Sequence, residues 1–291
     1  MTDRRETRML VVTGASTGIG RAVALRLAQD GYTVFAGVRQ PAVVDELNQL
    51  GQQNLQPILL DVSDVGSIER AIASVRERVR PGQVLHGVIN NAAICVTGPL
   101  ETLPLARLRE QLEVNLLGTM AMTQAALPLL RAARGRVVNI GSNVARLAPP
   151  FLGPYAASKA ALEALSDCLR RELRGAGVRV SLVVPGPVMT PAWDKIAADQ
   201  AHWSATAEAV ERERYHGAIE RFSAMNTSSA KRSRLTSEQV AALVARVLES
   251  PAPRARYEIG MGAYAGTLIS RLLPTRWVDD AFHRVMQPSA T

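Results

Sequence analysis

Lysine is scarce in this chain: of its 34 basic residues only Lys159, Lys195 and Lys231 are lysine, and the other 31 are arginine. Cysteine is scarcer still. Cys95 and Cys168 alone give no disulfide framework. The four histidines, at positions 86, 202, 216 and 283, show no short ligand spacing and no neighbouring cysteine, so no metal site is read. Aromatic residues make up only 4 %, and the arginines are spread along helix faces; the one local cluster is Lys231-Arg232-Ser233-Arg234. A net charge of +8 without a basic, aromatic-studded platform does not make a nucleic-acid binder. There is no run of 18 apolar residues, and residues 1–8 are charged with no apolar stretch. Neither a transmembrane segment nor a signal peptide is expected, and the default location is the cytoplasm.

What is present is alternation. Apolar, β-branched runs at 9–13, 33–38, 57–61, 84–90, 136–140, 178–184 and 256–259 read as strands. Helical patterns at 19–29, 41–50, 67–79, 105–131, 153–174 and 237–248 lie between them. Strand and helix in turn, with right-handed crossovers, give an α/β fold: a doubly wound parallel sheet of about seven strands in one domain over residues 1–291. One stretch breaks the rhythm. Residues 190–235 are polar, carry Trp193, Trp203 and Phe222, and sit where a short connection would suffice. They read as an insertion over the site, a substrate lid, with a mobile end near Met225 to Arg234 because Asn226-Thr227-Ser228-Ser229-Ala230 suits a loop.

Two patterns carry chemistry. The first strand runs into Thr13-Gly14-Ala15-Ser16-Thr17-Gly18-Ile19-Gly20. Gly14 suits the tight turn, Gly18 a close approach to a pyrophosphate, and Gly20 close packing of helix on strand. The helix that follows offers free N–H groups to phosphate. The second pattern is Tyr155-Ala156-Ala157-Ser158-Lys159. Residues four apart share a helix face, so an ammonium stands beside a phenol, and a nearby positive charge favours the phenolate. That makes a tyrosine usable as general acid or base. Cys95 reads as pocket lining or as a small buried hydrophobe, and Cys168 as packing.

Further motifs stand in order with these: Asp61-Val62, Asn90-Asn91-Ala92-Ala93, Val114-Asn115-Leu116, Ser142 thirteen residues before Tyr155, and Pro185-Gly186-Pro187-Val188-Met189-Thr190. Together they resemble the short-chain dehydrogenase/reductase family across residues 9–191. The departure is Ala93, where the family usually has glycine. The resemblance implies catalytic roles for Asn115, Ser142, Tyr155 and Lys159. Tyr155 exchanges a proton with the substrate oxygen, Ser142 holds that oxygen, Lys159 lowers the tyrosine pKa and binds the nicotinamide ribose, and Asn115 holds a water. It implies dinucleotide contacts from Gly14, Ser16, Thr17, Gly18, Ile19, Gly20, Asp61, Val62, Asn91, Tyr155, Lys159, Pro185, Gly186, Val188 and Thr190. The second strand ends in Val38-Arg39 where an acidic residue would select NAD(H), so Arg39 favours NADP(H). The segment from Pro187 and the tail 272–277 are similar to the retinol/hydroxysteroid-type branch and its bacterial relatives, which implies a bulky lipophilic alcohol or ketone. The resemblance also implies a homodimer or homotetramer. Residues 264–286 mix apolar and arginine residues, and read as a docked helix, a subunit contact or a peripheral membrane contact. A dehydratase or epimerase, and a dinucleotide sensor without turnover, are the alternative readings of the same fold.

Overall fold

The computed structural model describes Arg5 and residues 7–287; residues 1–4 and 6, read above for a leader, lie outside the described residues, as do 288–291. The chain runs β1 (Arg8–Thr13), α1 (Gly18–Gln29), β2 (Thr33–Val38), α2 (Pro41–Gln49), β3 (Leu55–Leu59), α3 (Val65–Glu77), β4 (Val84–Asn90) and α4 (Leu105–Leu112). A π-helical turn, Glu113–Leu117, joins α4 to α5 (Gly118–Ala133). Then follow β5 (Arg136–Ile140), α6 (Val144–Leu147), α7 (Gly153–Glu172), β6 (Arg179–Pro185), α8 (Ala192–Thr206) and α9 (Ala209–Arg232). The chain closes with α10 (Ser237–Glu249), β7 (Arg256–Ile259), α11 (Met261–Leu272) and α12 (Thr275–Met286).

The seven strands form one parallel sheet in the order β3-β2-β1-β4-β5-β6-β7. Because side chains alternate along a strand, β1 sends Leu10 and Val12 to one face and Met9 and Val11 to the other. The first face is covered by Val23 and Leu27 of α1 and Val240, Val244 and Leu248 of α10. The second is covered by Ile68, Ile72 and Val75 of α3, Met122, Ala126 and Leu130 of α5, and Leu169 of α7. Strands buried on both faces read as continuous apolar runs, which is why they stand out in the sequence. The order reverses between β1 and β4, and a crevice opens there at the carboxyl ends of the strands, where ligands bind in such sheets.

Two expectations are corrected. Residues 226–230 are not a loop; they continue α9. A capping box between Glu208 and Glu211 starts that helix, Ile219 and Phe222 anchor its middle, and Ala230 is fully buried, so the small polar residues ride on a packed helix. Cys168 is exposed on α7 and packs against no core. No helix among the described residues is long and apolar enough to cross a membrane.

Candidate active site

The loop from β1 to α1 is shaped as a cradle. Gly18 has φ +56°, a left-handed conformation that favours glycine, and a Cβ there would stand 3.2 Å from the side chain of Thr190. Gly20 has no room for a side chain, since a Cβ would come within 2.2 Å of Gly14 O. Thr17 precedes α1 in extended backbone with no side-chain cap, which leaves first-turn N–H groups for an anion. Thr190 thus arches over the same turn that Gly14, Ser16 and Ile19 build. Asn91 serves the turn itself: its Nδ2 donates to Thr13 O at 3.1 Å and Gly14 O at 3.0 Å.

Further along the crevice, Asp61 stands two residues past β3. Its Oδ1 accepts from Ser63 N at 2.9 Å and Ser63 Oγ at 2.7 Å, so the carboxylate is held in place. Val62 is buried, and its carbonyl passes so near Gly118 that a Cβ there would lie 2.4 Å from it. Arg39 is exposed one residue beyond β2, next to buried Val38. Gly186 donates its N–H to Ile259 O at 2.9 Å and Val188 is buried, which fixes the Pro185 to Thr190 loop at the other end of the cradle. The residues present therefore fit a dinucleotide: a turn without side chains, a helix N-terminus for the pyrophosphate, a carboxylate on one side and an exposed guanidinium at the end of β2.

Ser142 follows β5, and Tyr155 and Lys159 lie on α7. Lys159 is buried; its Nζ donates to Ile140 O at 2.8 Å and lies 5.8 Å from the centroid of the Tyr155 ring. Burial pushes the Tyr155 phenol above its ordinary value, the Cys95 thiol adds to the rise, and the Ser142 hydroxyl beside it works the other way. Burial likewise lowers Lys159 to about 8. The lowering of the tyrosine expected from its lysine neighbour is not what this environment produces. Removing a phenol from water disfavours the phenolate, and removing an ammonium disfavours the charged lysine, so burial moves the two groups in opposite directions.

Asn115 sits in the π-helical turn, 1 % exposed. Its Oδ1 accepts from Ile94 N at 2.9 Å, and its Nδ2 donates to Ile94 O at 3.0 Å and Ser158 Oγ at 3.1 Å. Both amide protons are thus used, and none is left to donate to a water. Ser158 in turn donates to Tyr155 O at 2.8 Å. The π turn gives up regular i, i+4 bonding to bring this amide across to α7. Sequence reasoning missed Ser158 and Gln111. A signal was available for the second: Gln111 lies four residues before Asn115, on the same face of a helix pointing at the site.

Helices α8 and α9 pack against the segment that leads into α7. Phe151 and Leu152, just before α7, pack with Ile219 and Phe222 of α9, and Cys95, Trp203 and Tyr215 pack against them. Phe151 meets Phe222 edge to face at 5.8 Å and Tyr215 at 6.3 Å. Glu101, in the loop after β4, binds Arg214 at 2.6 Å and accepts a hydrogen bond from Tyr215. On the outer side, α12 docks on α9 through Phe282, 6.4 Å from Phe222, and Arg221 Nε donates to Met286 O at 3.0 Å. Of the readings open for the tail, the docked helix describes α12.

Residues 8–201 match the short chain dehydrogenase family. The chain is 33 % identical over 275 residues to a 3-amino-tetrahydro-pyrrolizinone reductase of Xenorhabdus hominickii, covering 94 % of each chain. It is 35 % identical over 282 residues to mouse retinol dehydrogenase 5, covering 93 % of this chain and 86 % of the relative. Among solved structures it is similar to an alcohol dehydrogenase from Thermococcus sibiricus complexed with 5-hydroxy-NADP, at 25 % identity and a TM-score of 0.67, covering 87 % of this chain and 96 % of that one. The chain belongs to the short-chain dehydrogenase family of oxidoreductases, which use NAD(H) or NADP(H).

Proposed function

We propose that this protein interconverts a secondary alcohol and a carbonyl, with Tyr155 as general acid and base and a bulky lipophilic molecule as substrate. The observation that carries the reading is the grouping of half-buried Tyr155 with buried Ser142 and Lys159 at one end of a crevice whose other end is the glycine cradle. In the reductive direction Tyr155 Oη gives its proton to the carbonyl oxygen, and in the oxidative direction it takes the proton back. Ser142 Oγ donates to the same oxygen and orients it. Lys159 spends one N–H on Ile140 O, and its other two are available for ribose hydroxyls and for stabilising the phenolate. Asn115 acts on the site through Ile94 and Ser158. When bound, the nicotinamide supplies or takes up the hydride, and the protein contributes orientation and electrostatics.

Arg39 supports a preference for NADP(H), because a guanidinium at that position suits a 2′-phosphate and no carboxylate there repels one. The apolar side chains of Phe151, Leu152, Trp203, Ile219 and Phe222 support a lipophilic substrate, and the α8–α9 insertion serves as its lid. The two free cysteines suit a reducing compartment, and the resemblance supports a homodimer or homotetramer, which light scattering tests.

A panel of ketones and secondary alcohols, followed at the nicotinamide absorbance with both dinucleotides, tests the reading. Turnover of at least one bulky carbonyl, faster with NADPH than NADH, is the expected result. Dinucleotide binding with no turnover across the panel would mark a sensor, and substrate change without net hydride transfer would mark a dehydratase or epimerase.

A further inference from the structure

Strand β4 ends at Asn90, and after three further residues the chain runs past Tyr155 as Ile94-Cys95-Val96-Thr97. Three side chains hold this stretch. Asn115 takes both the N–H and the C=O of Ile94, at 2.9 and 3.0 Å. Gln111, fully buried, donates to Ile94 O at 2.8 Å and accepts from Val96 N at 2.7 Å. Asp199 accepts from Thr97 N at 2.8 Å and from Thr97 Oγ1 at 3.0 Å. Asn115 and Gln111 belong to the helix after β4, whereas Asp199 belongs to α8 of the insertion.

Asp199 is built for this task. Its side chain is only 18 % exposed, and Arg107 of α4, itself paired with Glu110, reaches its Oδ1 at 2.5 Å. A carboxylate accepts from all three donors at once; a carboxamide has a single acceptor oxygen and would turn N–H groups toward Arg107. One helical turn on, Trp203 lies along the same loop, 3.8 Å from where a Cβ on Gly98 would stand. Cys95 sits between the two residues that Gln111 holds and two positions before Thr97, and its thiol interacts electrostatically with Asp199, Lys159 and Tyr155.

We propose that Asp199 is a positioning residue: by fastening α8 to Thr97 it fixes the wall that Cys95 forms beside Tyr155, and so sets the space for the carbonyl-bearing end of the substrate. The inference rests on Tyr155 being the acid–base group, but its first test does not need turnover. In a Cys168→Ser background Cys95 is the one thiol, and its maleimide labelling rate reports the wall. Asp199→Ala should raise that rate at least tenfold with the helical circular dichroism unchanged, and Asp199→Asn should fall between the two. Thr97→Val, which removes one of the two Thr97 hydrogen bonds, should raise it less, and carries the test with Asp199→Asn if the alanine variant does not fold. With a substrate from the panel, Asp199→Asn should raise KM at least tenfold while kcat and the dinucleotide Kd stay within threefold. Labelling within twofold of the parent overturns the clamp, and a loss of kcat at unchanged KM overturns the positioning role. If the parent turns over no carbonyl, the oxidoreductase reading fails, while the labelling rates still decide whether Asp199 holds the wall.

Discussion

Lys159 brings a charge into surroundings where it is 3 % exposed, with one carbonyl as its hydrogen-bond partner. Its folded pKa of about 8 lies below the ordinary 10.5, so the folded state resists protonation more than the unfolded one. The penalty is full below pH 8 and vanishes above about pH 10.5, amounting to roughly 3 kcal/mol before the hydrogen bond to Ile140 is counted. Lys159→Met should therefore be more stable than wild type at pH 7 in denaturant unfolding, and the gap should narrow as the pH is raised toward 10. An equal or lower stability at pH 7 would mean that the ammonium is better solvated than its burial implies. Arg39 poses the opposite case, a charge exposed to water. Replacing it with aspartate should lower the NADPH-to-NADH ratio of kcat/KM about ten- to hundredfold, the value of a charge-assisted hydrogen bond of roughly 1.5–3 kcal/mol. An unchanged ratio means that Arg39 does not meet the 2′-phosphate. The pairing of Tyr155 with Lys159 was legible in the sequence because i, i+4 spacing is geometry. The direction of their pKa shifts was not, since burial is a property of the assembled site.

At the scale of elements, α9 is the clearest lesson. Asn226 to Ser229 has the composition of a loop, yet the segment is helical because Phe222 locks the same helix into the cluster with Phe151, Tyr215 and Phe282. Tertiary packing overrides a weak local preference. Phe222→Ala should cost about 3–5 kcal/mol, the usual range for a fully buried phenylalanine, and hydrogen exchange should show the loss concentrated in α9 and α12. Protection unchanged in both helices would separate them from the cluster. The π turn is the other feature that periodicity did not reveal. The π turn Glu113–Leu117 between α4 and α5 carries the Asn115 amide that binds Ile94 and Ser158, and nothing in Val114-Asn115-Leu116 alone announces it.

The whole molecule follows from patterns that repeat: seven apolar runs became seven parallel strands, and the reversal of their order between β1 and β4 set the crevice. The glycine turn was legible because each glycine answers a steric demand, as Gly18 under Thr190 shows. Contacts between distant segments were not legible, among them Asp199 with Thr97 and Glu101 with Arg214, since partners about a hundred residues apart leave no local signature. The central claim is that this scaffold brings a dinucleotide to a proton donor at Tyr155. The most direct measurement is Tyr155→Phe, which keeps the ring and removes only the hydroxyl, assayed for dinucleotide binding and carbonyl turnover on the same preparation. The account predicts a dinucleotide Kd within about threefold of wild type and turnover lower by about 10²–10⁴-fold, the usual weight of general acid–base catalysis. Turnover within threefold of wild type would contradict it.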